Sequence, residues 1–366
     1  MSSFALVTLG AALPSVMLIY LVQQLDRFRE PVGHVVMAFI IGLLSPLVTL
    51  MISGLMPEPA QEAHPWYYAL STAAIPEEAG RALLLYWVCA RWDEVREPFD
   101  CIVYGVAIWA GFAATENVLY ALAHIKEGGD PIGILSIRAS LCTLGHSAWG
   151  LIMGAYVGIA RFGKGDQSWP FMRGLLITVT LHMLYDGLLF SAPTSAHPIL
   201  KLLMAIGVDA LSVVLALLFL IRARALQDAS DHEGHRSLLQ SELLKRHSPD
   251  SVVGLYEIMS EMHLTGVLKT LMAMVFSSLS VGSALSALSR LIDFISSGAP
   301  VVSVLSFSVI SFVSGAIGFR LWRGVLEIAL NVHQETEEEL RADLHTALLS
   351  DARPAQGQEA AEGADR

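Results

Sequence analysis

Charge is what this 366-residue sequence has least of: 16% of its residues are Asp, Glu, Lys or Arg, against roughly 25% in an ordinary globular protein. With 54% hydrophobic residues and a mean hydropathy of +0.55, that deficit excludes a water-soluble domain as the body of the chain. Cysteine is equally scarce. The three present, Cys89, Cys101 and Cys142, fall in or beside apolar runs, so no disulfide framework is implied. Positive charge is short as well: the formal net charge is −11. Residues 331–366 hold nine acids and three bases and so carry −6 of it, which argues against DNA or RNA as a partner.

What the sequence does have is apolar runs of about twenty residues, the length a helix needs to cross a hydrocarbon core ~30 Å thick. They read as nine spans: 4–23, 34–55, 69–90, 100–122, 133–160, 172–190, 199–221, 265–288 and 301–322. The first lacks a basic leader and is as long as a span, so it reads as an uncleaved helix, not a signal peptide. The expected fold is therefore all-α, a polytopic transmembrane bundle of about nine spans in a lipid bilayer. Arg27 and Arg29, Arg91 and Arg96, Arg161, Lys164 and Arg173, then Arg222 and Arg224 mark alternate connections, and Arg320 and Arg323 follow the last span. By the positive-inside rule the N-terminus is outside and the C-terminus in the cytoplasm. The organisation expected is a seven-span core, 1–221, a polar cytoplasmic linker, 222–264, a two-span appendage, 265–330, and an acidic tail, 331–366. The linker histidines His232, His235 and His247 read as solvated surface. Leu340, Leu344 and Leu348 suggest a short amphipathic helix in the tail, and 351–366 reads as disordered.

Several residues do not belong in lipid. The third run contains Pro76-Glu77-Glu78-Ala79-Gly80-Arg81, the fourth Phe112, Glu116, Asn117 and Tyr120, the fifth His146, and the sixth His182 and Asp186. Charged groups at the bilayer centre cost several kcal/mol and are usually functional. At ~1.5 Å per helical residue, Glu77, Glu116 and His182 sit roughly 10–14 Å below the outer surface, so helices running in opposite directions meet in one layer. Phe112, Glu116 and Tyr120 share a helix face, as do His182 and Asp186. His146, Gly150, Gly154 and Gly158 form a third stripe, where glycine permits close packing in lipid. Pro76 is placed to start or kink a helix beside the carboxylates.

Blander readings stand beside this one. Glu77 and Arg81, four apart, can be a neutralised ion pair; His146 can hydrogen-bond across helices; Cys142 reads as a small hydrophobe. Tyr120 and Asn117 read either as oxyanion donors or as packing. A proton-coupled transporter or channel would also use intramembrane Glu, His and Asp, though no inverted repeat is visible. A non-catalytic membrane scaffold is the other alternative.

The ordered motifs Glu77-Glu78-x-x-Arg81, Phe112-x-x-x-Glu116 with Tyr120, His146, and His182-x-x-x-Asp186 resemble those of PrsW-type intramembrane proteases, relatives of the CAAX prenyl endopeptidases. The resemblance covers roughly 34–221 and departs from the pattern at Arg81, where lysine is expected. It implies a bacterial cell-membrane endopeptidase cutting membrane-anchored, anti-sigma-factor-like proteins near the outer side of the bilayer. Glu77 is the expected base, activating water, with Glu78 orienting it or sharing its proton. His146, His182 and Glu116 would bind the water and oxyanion, or a metal that does, zinc being the candidate. Arg81, Phe112, Asn117, Tyr120 and Asp186 are the expected supporting residues.

Overall fold

The computed structural model describes residues 3–57, 64–163 and 168–229, and within 269–324 scattered positions and the continuous helix Val304–Gly318. The linker histidines, most of 265–288 and the acidic tail lie outside the described residues. Among the described residues every regular element is helical: α1 (Ser3–Leu25), α2 (Val32–Ser53), α3 (Pro65–Tyr68), a π-helical turn (Ala69–Ala74), α4 (Ile75–Arg91), α5 (Pro98–Lys126), α6 (Pro131–Ser140), α7 (Cys142–Phe162), α8 (Ser168–Ser191) and α9 (Pro198–Ala229).

Helix α5 is the hub, buried at every residue from Pro98 to Ala114. Its partner α7 is buried nearly throughout, and the glycine stripe explains why the two approach so closely. A Cβ at Gly150 would lie 2.6 Å from the Gly105 carbonyl oxygen, one at Gly154 2.5 Å from that of Cys101, and one at Gly158 2.8 Å from Pro98 Cα. No side chain fits there, so backbone packs on backbone. The outer helices turn their long apolar side chains outward: Leu44, Leu47, Leu50 and Met51 of α2 are all more than half exposed, as a lipid-facing surface requires.

Five helical segments are long and apolar enough to cross a membrane: Val7–Leu25, Val32–Ser53, Pro98–Lys126, Ser168–Ser191 and Pro198–Arg224. Two expected runs are built differently. Run 133–160 divides at Leu141 into α6 and α7, and run 69–90 is assembled from α3, the π-turn and α4. The π-turn ends where Ile75 N–H reaches back five residues to the Leu70 carbonyl, one residue before Pro76. Proline has no N–H to continue the ladder, so the helix re-registers there and α4 restarts with Glu77 and Glu78 in its first turn. Helix α9 continues past 221 to Ala229 and brings Gln227 back onto the core. Cys89, Cys101 and Cys142 are buried and free.

Candidate active site

Helix α4 delivers Glu77, Glu78 and Arg81, α5 delivers Glu116, α6 Arg138, α7 His146, and α8 His182 and Asp186. These side chains form a connected polar layer. Arg81 and Glu78 are both 0% exposed and pair at 2.6 Å. The Glu78 carboxylate also meets Nδ1 of His182 at 2.9 Å and accepts from Nε1 of Trp109 at 2.9 Å. Arg81 Nη1 donates to His146 Nδ1 at 3.1 Å, while Phe112 lies 3.9 Å from the guanidinium carbon and supplies a cation–π face. An arginine has no acceptor, so His146 Nδ1 must accept and Nε2 must carry the hydrogen. That Nε2 donates to Glu116 Oε2 at 3.1 Å, and Glu116 is paired in turn with Arg138 at 2.7 Å.

The ion-pair alternative for Glu77 and Arg81 changes in the process. Arg81 pairs closely with Glu78, and its contact with Glu77 Oε2 is the longer one, 3.4 Å. Glu77 is the carboxylate of the layer with the longest contacts: 3.4 Å to Arg81 Nη2 and 3.9 Å to His182 Nε2. Asp186 stands 3.2 Å from the same nitrogen.

Beside the layer lies a cavity of about 110 Å³, polar enough to hold water. Glu116, Arg138, His146, His182 and Asp186 face it, together with Tyr120 and Tyr185. Trp149 stacks on His182 with ring centroids 4.5 Å apart, fixing the imidazole plane. Asn117 is fully buried, with its amide committed: Nδ2 donates to Thr143 and Oδ1 accepts from Arg138 Nε. It therefore orients Arg138 through Oδ1. Tyr120 supplies the ring beneath Arg138, 3.7 Å from the guanidinium carbon.

Sequence reasoning did not find Arg138, Trp149, Trp109 or Tyr185. An arginine inside the run 133–160 was the available signal for the first; the aromatic residues look like any apolar residue in a span.

Four carboxylates, Glu77, Glu78, Glu116 and Asp186, face two guanidinium groups, Arg81 and Arg138. With neutral histidines that leaves two negative charges in a low-dielectric layer, a balance that calls for protons or a divalent cation. Two imidazole–carboxylate pairs of the layer have donors suited to a metal: His146 Nε2 with Glu116 at 3.1 Å, and His182 Nε2 with Asp186 at 3.2 Å, Glu77 lying 3.9 Å from the latter nitrogen.

A membrane bundle with a buried, histidine- and carboxylate-bearing layer beside a polar cavity is an arrangement that an intramembrane hydrolase can use. The family model for PrsW family intramembrane metalloproteases matches residues 30–221, and the chain belongs to that family. It is 30% identical over 188 residues to the protease PrsW of Geobacillus kaustophilus, covering 51% of this chain and 81% of that protein. With the protease PrsW of Bacillus subtilis it is 29% identical over 191 residues, 51% and 83% of the respective chains. The protein from Shouchella clausii is 29% identical over 184 residues, 50% and 83%. No solved structure matches the chain. The protein is thus an integral membrane protease of bacterial type.

Proposed function

We propose that the protein hydrolyses a peptide bond of a membrane-anchored protein, of the anti-sigma-factor kind, near the outer side of the bilayer. Glu77 is the general base. The observation that carries this assignment is the inequality of the four carboxylates: Glu78 and Glu116 are taken up by short contacts to Arg81, Arg138 and the histidines, whereas the nearest contact of the Glu77 carboxylate is 3.4 Å. A water lodged between Glu77 and His182 Nε2 gives its proton to Glu77 as its oxygen attacks the scissile carbonyl carbon. Arg138 spends Nη2 on Glu116 and Nε on Asn117 and lines the cavity, where with Tyr120 or Tyr185 it meets the developing oxyanion. The C–N bond then breaks, and Glu77 returns its proton to the leaving amine. Glu78 positions Arg81 and His182, and His146, on the cavity wall, positions Glu116.

The residues suited to the family's metal are His182 through Nε2 and Asp186, with Glu77 beside them, and His146 through Nε2 with Glu116. A bound zinc would supply Lewis-acid activation of water. In the bilayer we place nine spans, with the N-terminus outside and the C-terminus in the cytoplasm, and take 265–330 as an appendage to the catalytic core. A cysteine at Ser195 should then react with an impermeant thiol reagent from outside, and one at Gly163 should not.

The test of the mechanism is Glu77→Gln, assayed with a membrane-anchored reporter in proteoliposomes. Turnover should fall by about 10²–10⁴-fold, the contribution of a general acid–base group, with the melting temperature unchanged. A variant that still cleaves at the wild-type rate removes Glu77 from the chemistry.

A further inference from the structure

A second group of carboxylates lies far from this layer. Asp26 and Glu30 come from the α1–α2 turn and Asp100 from the first turn of α5, 3%, 5% and 2% exposed respectively. Asp100 and Glu116 are sixteen residues apart on α5, about 24 Å along the helix axis. One oxygen from each of the three acids falls within 4.8 Å of the others. Oxygens bound to one Ca²⁺ at about 2.4 Å can be at most about 4.8 Å apart, so the spread is that of a single ligand shell.

Most of the hydrogen-bonding capacity is assigned. Asp100 Oδ2 accepts from the backbone N–H groups of Arg96 and Glu97 at 2.6 and 2.9 Å, closing the α5 capping box. Tyr104 donates its hydroxyl to Glu30 Oε2. Asp26 Oδ1 accepts from Gln227 Nε2 at 2.8 Å and from Phe28 N–H at 3.0 Å. Glu30 and Asp100 also share a side-chain hydrogen bond, whereas Asp26 Oδ2 is buried and without a partner among the described residues. With Oδ1 turned to Gln227 and Phe28, Oδ2 is the oxygen Asp26 has left to offer. A buried acceptor of this kind calls for an explanation, and an ion is one. The donors are all hard oxygens, which excludes the soft-metal chemistry of thiolate and imidazole sites. Arg29 and Arg224 face Asp26, and His34 faces Glu30, but Glu97 adds a further carboxylate.

We propose that Asp26, Glu30 and Asp100 bind a hard divalent cation of the magnesium–calcium class. The ion fastens the α1–α2 turn to the start of α5, and through Asp26 and Gln227 to the end of α9. It is a structural site, independent of the catalytic reading above.

The experiment uses the full chain in nanodiscs, stripped with chelator, its thermal unfolding followed as Mg²⁺ or Ca²⁺ is added at neutral pH. The melting temperature should rise saturably. Asp26→Asn and Glu30→Gln should lose the rise, while Glu77→Gln/His182→Ala, which removes donors from the catalytic layer, should keep it. No rise, or an equal rise in Asp26→Asn and Glu30→Gln, overturns the proposal. Should the two carboxamide variants not fold, Mn²⁺ electron paramagnetic resonance on the Glu77→Gln/His182→Ala protein decides. One bound Mn²⁺ displaced by Mg²⁺ supports the site, and none, or a signal Mg²⁺ does not displace, overturns it.

Discussion

The two ends of α5 handle buried acids in opposite ways. At the Glu116 end carboxylates are interleaved with Arg81, Arg138, His146 and His182, and a cavity opens beside them. At the Asp100 end the acids are met by a tyrosine hydroxyl, a glutamine amide and backbone N–H groups. The first arrangement fixes charges at chosen distances and leaves one carboxylate, Glu77, with the longest contacts, 3.4 Å to Arg81 and 3.9 Å to His182. The second gathers oxygens around a common centre. Buried acids alone therefore do not identify an active site. The pattern of their partners does, together with access to water.

The largest effect that can break this contrast is on stability and activity together, at Arg81. Removing it leaves Glu78 ionised and fully buried without its counter-ion, which costs about 3–5 kcal/mol for a broken buried pair. Arg81→Gln should therefore unfold or strongly destabilise the protein, read as a lowered melting temperature in detergent. Glu77→Gln should not, because Glu78 stays paired. In the double variant Glu77→Gln/Arg81→Gln, destabilisation should match that of Arg81→Gln alone, with cleavage still lost. Recovered cleavage in that double variant would return Glu77 to the role of a mere ion-pair partner.

A smaller effect tests the packing that holds the two ends together. Gly154→Ala puts a methyl group against the Cys101 carbonyl, where α5 and α7 touch backbone to backbone. Overpacking of this kind costs about 1–3 kcal/mol. The melting temperature should drop, and residual turnover per folded molecule should drop with it, since α7 carries His146. An unchanged melting temperature would mean that the helices part at that point easily.

Much of the candidate site was legible because a membrane makes charge conspicuous. Glu77, Glu78, Arg81, Glu116, His146, His182 and Asp186 stand out against apolar runs, and helical spacing puts them at comparable depth. Which carboxylate Arg81 prefers was not legible: positions 77 and 78 are both within reach of 81, and only the rotamers and the Trp109 and His182 contacts to Glu78 decide. Arg138 escaped notice because α6 and α7 read as one run, the break at Leu141 having neither glycine nor proline to mark it. The Asp100 end was invisible for another reason. Asp26, Glu30, Glu97 and Asp100 sit in polar connections, where acids are ordinary, and nothing in the linear order shows that Gln227, about two hundred residues on, closes over Asp26.

That closure determines where the chain can be shortened. Cutting near Arg224 would remove Gln227, so a core ending there should melt lower than one ending after Ala229, although both keep every residue of the candidate site.

The smallest predicted effect concerns pH and separates protons from metal at the Asp100 end. Burial pushes the carboxyls of Asp26 and Glu30 above their ordinary values, against the opposing pull of Gln227 and Tyr104. Without a cation the folded protein therefore binds protons there more tightly than the unfolded chain. Stability contributed by that binding is complete below the unfolded carboxyl value of about 4, and is lost as pH rises toward the raised folded values. The slope is at most about 1.4 kcal/mol per pH unit for each proton. The share of stability due to these two carboxyls should accordingly fall as pH rises above about 4, read as the difference in melting temperature between the metal-free wild type and Asp26→Asn. A divalent cation needs the carboxylates bare, so its stabilising increment must grow over the same interval. Melting curves with and without millimolar Mg²⁺ should converge at the acid end and diverge toward neutral pH. Parallel curves, or curves that close up as pH rises, would leave the cluster to protons alone.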